Sequence, residues 1–197
     1  FSKLLQTRED VDNKTREYAE KILDSGYQIL QYFQNLIDLS ELEAGMIKMN
    51  PTRFELDHLL SGIVGGYKDR LESDNLVNIY LVNQEDALVI YSDEFILERI
   101  ITNIIELIRN NIYEGLLSIE YELTTDGCIS LEVRGLGSRK PDDRKPGQND
   151  SPYIHKDEAD YLTWRTINEL TKLLNCKIMH HSHDQEVLYR VIIPANL

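Results

Sequence analysis

Three histidines, His180, His181 and His183, crowd into one predicted strand, with Asp184 beside them and Cys176 just before. Alternate residues of a strand share a face, so His181 and His183 with Asp184 or Cys176 could offer ligands to zinc. Two neighbouring histidines on a strand rarely suffice, however, and an exposed hairpin end explains them without a metal; no metal is expected. Ser182, His183 and Asp184 have the residue types of a nucleophile triad but are adjacent, whereas triad members converge from separate segments. Glu41 and Glu43 pair two carboxylates, yet residues two apart on a helix point to different sides, which argues against shared acid–base work. Gly135 and Gly137 bare the backbone at the end of a predicted strand, a pattern that by itself reads as a turn. Cys128 and Cys176, two cysteines far apart, suggest buried reduced thiols rather than a disulfide framework or a metal site.

The chain that must position these groups has 197 residues, 42% hydrophobic and 28% charged, enough for a substantial core. No apolar run nears the roughly 20 residues that span a bilayer, and no signal-peptide pattern opens the chain. A cytoplasmic location is expected. Phe1 suggests a piece of a longer protein, which leaves membrane segments of the parent open. Thirty-four acidic against 21 basic residues give a net charge of −13. That sign repels phosphate backbones and anionic lipid, so neither nucleic-acid binding nor membrane contact is expected of this piece. Its longest basic cluster, Arg139, Lys140, Arg144 and Lys145, is interrupted by Asp142 and Asp143.

Apolar spacing of three and four through Ile22, Leu23, Gly26, Ile29, Leu30, Phe33, Leu36 and Ile37 predicts a long helix over 14–46. Phe1, Leu4 and Leu5 read as the end of an earlier helix, joined by a polar turn over 7–13. Such a hairpin has no core of its own, so residues 1–46 are expected to form a four-helix bundle with a second copy. Beyond Pro51, residues 54–65 are briefly helical in pattern, and 77–82 and 88–91 read as strands. Ser92-Asp93-Glu94 opens a second helix carrying Ile96, Leu97, Ile100, Ile101, Ile104, Ile105 and Ile108. A hairpin over 116–133 turns at Thr125-Asp126-Gly127. Residues 138–152 hold no hydrophobic side chain and include Pro141, Pro146 and Pro152, which predicts a mobile loop. A helix over 158–174 and a hairpin over 177–193 close the chain. The fold class is α+β: a helical hairpin over 1–46, then over 47–197 an α/β sandwich with a mixed sheet packed on three helices.

The run Asn35-Leu36-Ile37-Asp38-Leu39-Ser40-Glu41-Leu42-Glu43-Ala44-Gly45 resembles the end of the dimerisation helix in hybrid-type sensor histidine kinases. Asp93, Asn103 and Gly115 match the spacing of that family's N box. Residues 170–178 with Val191-Ile192-Ile193-Pro194 resemble its closing helix and last strand. The resemblance covers nearly the whole chain. It implies a dimerisation hairpin followed by an ATP-binding domain of the histidine kinase, gyrase and chaperone class. With these come magnesium ATP, autophosphorylation on histidine and transfer to a response regulator.

Several elements implied by the resemblance are missing. No histidine precedes His58, so the phospho-acceptor would lie upstream or be absent. The second N-box Asn, whose oxygen holds magnesium, is Leu107, and an aliphatic side chain has no lone pair. Asn110 and Asn111 stand where the family has a lysine and an aromatic, and read as a polar helix end near Gly115. Gly135 and Gly137 keep the adenine-site glycines, but no acid follows Glu132 at the right place; one lost charge-assisted hydrogen bond is worth about 2 kcal/mol. The glycine-rich phosphate loop is replaced by Tyr161, Leu162, Thr163, Trp164 and Arg165, of which Tyr161 and Trp164 read as packing residues. The expectation is a pseudokinase signalling module without a nucleotide cofactor. Its candidate partners are a second copy, a competent kinase or a response regulator. The alternative is an active but atypical kinase, and a third is a purely structural oligomerisation domain.

Overall fold

A computed structural model describes residues 12–71, 77–82, 88–139, 158–183 and 185–194. The chain divides into two compact units, Phe1–Met46 and Ile47–Leu197. The first contains helix α1 (Asn13–Glu43). Asp12 caps its start by accepting from the Thr15 backbone N–H at 2.9 Å and the Thr15 hydroxyl at 2.8 Å. Both bonds favour the ionised carboxylate and hold Asp12 below its usual pKa. At the other end Gly45 adopts φ 63°, and the N–H groups of Ala44, Gly45 and Met46 turn back to the carbonyls of Ser40, Leu42 and Glu41. That left-handed glycine, two residues past Glu43, stops the helix short of the expected Met46. The preceding helix and most of the expected turn lie outside the described residues, while Asn13, expected in the turn, is helical.

The second unit runs β1 (Thr52–Glu55), α2 (Leu56–Leu71), β2 (Val77–Leu81), β3 (Val89–Ser92), α3 (Glu94–Asn111), β4 (Ile112–Leu123), β5 (Ile129–Arg139), α4 (Glu158–Leu173), β6 (Lys177–His183) and β7 (Glu186–Ile193). The main sheet has the order β2-β4-β5-β7-β6, with β2 parallel to β4 and every other pair antiparallel. This is the expected mixed sheet, packed against α2, α3 and α4. Alternation decides which face is covered. Leu117, Ile119 and Tyr121 of β4, Leu131 and Val133 of β5, and Val187, Tyr189 and Val191 of β7 are buried.

The sheet's other face is laced by ions at its middle. Glu132 accepts from Arg190 Nε at 2.5 Å and from Arg134 at 3.2 Å, and Arg134 also approaches Glu120 and Glu186. Burial pushes the Glu132 carboxyl up, but the hydrogen bonds from Arg190 and Arg134 outweigh it and leave the pKa below the ordinary glutamate value.

Three expectations need correction. Phe54, expected at the start of a helix, lies in β1, which pairs with β3 in a separate two-stranded sheet with Phe54 opposite Ile90. The helix begins at Leu56, whose N–H donates to Leu88 O at 2.9 Å. The strand pairing spends backbone groups with a distant segment, which a local periodicity cannot reveal. Gly135 and Gly137 do not form a turn, since both lie inside β5, opposite Leu117 and Gly115 of β4. Consequently Ser138 and Arg139, expected in the loop, extend the strand; residues 140–152 of that loop lie outside the described residues.

Candidate functional site

Helix α3 carries the matched N-box positions and is well positioned. Asp93 caps it, with Oδ1 accepting from Ile96 N–H at 3.0 Å and Oδ2 from the Asn50 N–H at 2.7 Å. Its apolar stripe is sealed: Leu97, Ile100, Ile101, Ile104, Ile105 and Ile108 are fully buried. Asn103 is buried. Leu107, at 1% exposure, is part of the same core, so a hydrocarbon fills the place that the resemblance assigns to the metal-holding amide.

The two asparagines that follow serve the fold. Asn111 donates from Nδ2 to the Leu107 carbonyl at 2.7 Å, and its buried Oδ1 has no hydrogen-bond partner among the described residues. Asn110 donates from Nδ2 to Asp160 Oδ1 at 3.0 Å, joining α3 to the first turn of α4. The helix ends at Asn111 and β4 begins at the next residue, so the expected helix end near Gly115 comes four residues early.

The glycines of β5 are committed to the sheet. A Cβ on Gly137 would run into the carbonyl of Glu114, and one on Gly115 would lie 2.7 Å from Gly137 Cα. A Cβ on Gly135 would meet the side chains of Ile108 and Ile112. The Gly137 N–H donates to Gln185 O at 2.9 Å. These glycines permit close approach of chain to chain.

On α4, Thr163 is buried and Trp164 half-buried. Trp164 stands 5.8 Å from His180 and 5.9 Å from Tyr189, ring to ring, and His180 and Tyr189 are 5.6 Å apart. Trp164 therefore packs as expected. Tyr161 does so only in part, since 54% of its surface is open. Burial, with the charge of Asp160 second, pushes the Tyr189 phenol above its usual pKa.

The magnesium nucleotide that the family resemblance implies does not fit these residues. A fully buried leucine offers no ligand to a cation, the Gly137 amide is spent on Gln185, and Thr163 is enclosed within a helix. A shallow cavity of about 450 Å³ is lined by Arg53, Phe54, Glu55, His58 and Val89, none of them a matched position. His180 is engaged in ring packing, His181 and His183 lie on the open face of β6, and Asp184 lies outside the described residues. Among the described residues no group of three His, Cys, Asp or Glu side chains could hold a metal ion. Cys128 and Cys176 are free and half-buried, and burial pushes the Cys176 thiol up to about 12. The Asn110–Asp160 bond and the glycine pinch escaped sequence reading, because each depends on a partner far along the chain.

No family model matches the chain. It is 24% identical over 146 residues to the autoinducer 2 sensor kinase/phosphatase LuxQ of Vibrio cholerae, a match covering 72% of this chain and 17% of that protein. It is 20% identical over 133 residues to probable histidine kinase 5 of Oryza sativa subsp. japonica, covering 68% and 11% respectively. The chain thus spans under a fifth of the length of these curated relatives. Among solved structures, full-length ShkA in complex with AMPPNP superposes with TM-score 0.68 at 15% identity, covering 98% of this chain and 41% of that one. Histidine kinase AdeS of Acinetobacter baumannii gives 0.63 at 14%, covering 98% and 90%. The ThkA kinase in complex with response regulator TrrA gives 0.59 at 15%, covering 98% and 55%. The chain therefore has the fold of the histidine kinases and resembles sensor histidine kinases in sequence over about 70% of its length.

Proposed function

We propose that this chain is the kinase-core region of a two-component sensor protein that works as a pseudokinase, passing conformational signals through contacts rather than through phosphoryl transfer. The observation that carries this reading is Leu107, buried to 1% exposure at the position matched to the magnesium-holding amide. The Gly137 amide bonded to Gln185 supports it, since that backbone is no longer open to a phosphate or base. Residues 1–46 act as the dimerisation element. Leu30, Phe33 and Ile37 of α1 leave half or more of their surfaces open, an apolar face suited to a second copy. A response regulator is a second partner, in keeping with the ThkA complex. The domain acts in the cytoplasm, and among the described residues no helix is long and apolar enough to cross a membrane.

Calorimetric titration of the chain with magnesium ATP tests the reading. No saturable heat is expected; a dissociation constant below about 100 μM, or roughly 5.5 kcal/mol of binding, overturns it. The competing reading is an active, atypical kinase, favoured by the ShkA relative having been solved with AMPPNP. That reading predicts tight nucleotide binding in the same titration.

A further inference from the structure

We propose that Asp160 and Asn110 form a strut that fixes α4 against α3. Asp160 is a carboxylic acid at 1% exposure. A buried carboxylate is tolerated only when its oxygens are satisfied, and Oδ1 receives the Asn110 Nδ2–H at 3.0 Å across 50 residues of sequence. It also stands in the first turn of α4, where the helix presents unsatisfied N–H groups and a positive pole that favours an anion. The chain thus supplies a negative charge of its own at the helix end where a phosphate-binding protein leaves room for one. Trp164, one turn further on, packs on His180 and Tyr189, so the anchored turn is continuous with the outer strands of the sheet. The position of α4 is consequently held through α3 on one side and through β6 and β7 on the other.

This hydrogen bond and its burial hold whether or not nucleotide binds elsewhere. Backbone hydrogen exchange across α4 in the full 197-residue chain tests it, comparing Asn110→Ala, Asp160→Ala, the double variant and Asp160→Asn. Each alanine variant is expected to speed exchange in the first half of α4 by about tenfold or more, the value of one charge-assisted hydrogen bond. The double variant should be no faster than the faster single one, because both remove the same contact. Asp160→Asn keeps an oxygen for Asn110 and should retain part of the protection. Unchanged exchange in Asn110→Ala, or effects that multiply in the double variant, overturns the proposal. Should Asp160→Ala fail to fold, Asn110→Ala and Asp160→Asn decide it. Repeating the wild-type measurement with magnesium ATP separates the two readings, since protection of α4 by nucleotide would count against the pseudokinase and leave the strut to the variants.

Discussion

Helices α1 and α3 carry apolar residues at the same three-and-four spacing and meet opposite fates. On α3 the stripe from Leu97 to Ile108 is closed under the sheet, whereas on α1 Ile22, Leu30, Phe33 and Ile37 are each 50–66% exposed. Periodicity therefore announces that a helix will bury a face but not what will cover it. For α3 the cover is the chain's own sheet, reached through a cap at Asp93 and a direct run from Asn111 into β4. For α1 the described residues leave the face open.

Matched truncations sharpen the contrast most. Ile104→Ala should cost about 2–5 kcal/mol in urea unfolding, because a fully buried side chain leaves a cavity. Leu30→Ala at 66% exposure should cost under about 0.5 kcal/mol in the unassociated chain. Equal losses would break the comparison. Phe33→Asp tests what covers α1: sedimentation should show a wild-type dimer and a variant weakened by about 3 kcal/mol, roughly 100-fold, through a charge forced into an apolar seam. A monomeric wild type at high micromolar concentration would remove the basis for the proposed assembly.

The open sheet face should show a smaller, pH-dependent effect. Because the folded Glu132 pKa lies below its ordinary value of 4.5, the pair with Arg190 stabilises the fold above that pH. The contribution fades as pH drops below 4.5 and through the folded value. Glu132→Gln should lose about 1–2 kcal/mol at neutral pH and flatten this part of the acid limb in thermal melts. The smallest expected effect is none at all: Leu107→Asn should leave magnesium ATP unbound by calorimetry, since the phosphate and adenine contacts stay lost. Recovery of binding would mean that Gly135, Gly137 and Tyr161 had been matched to the wrong positions.

Much of the frame was legible in the sequence. The α3 stripe, the hairpin around Asp126-Gly127 and the order of elements follow from period, caps and turn residues, all local in origin. Where reading failed, the deciding partner was distant. Phe54 continued the apolar spacing of α2 but was claimed by Ile90, and Gly135-Leu136-Gly137 resembled a turn until β4 and β7 were set on either side. The site was legible mainly by subtraction. Leu107 could be seen to lack an oxygen, whereas the use of Asn110 required knowing that Asp160 lies beside it.

The close approach of Gly115 and Gly137 carries a consequence for tracing ancestry. Two backbones in contact exclude any side chain at either position, so purifying selection would hold both glycines for the sake of the sheet alone. A tally that credits each surviving glycine to nucleotide recognition would count them as inherited function. In a lineage that had abandoned ATP, they would be among the last letters to change.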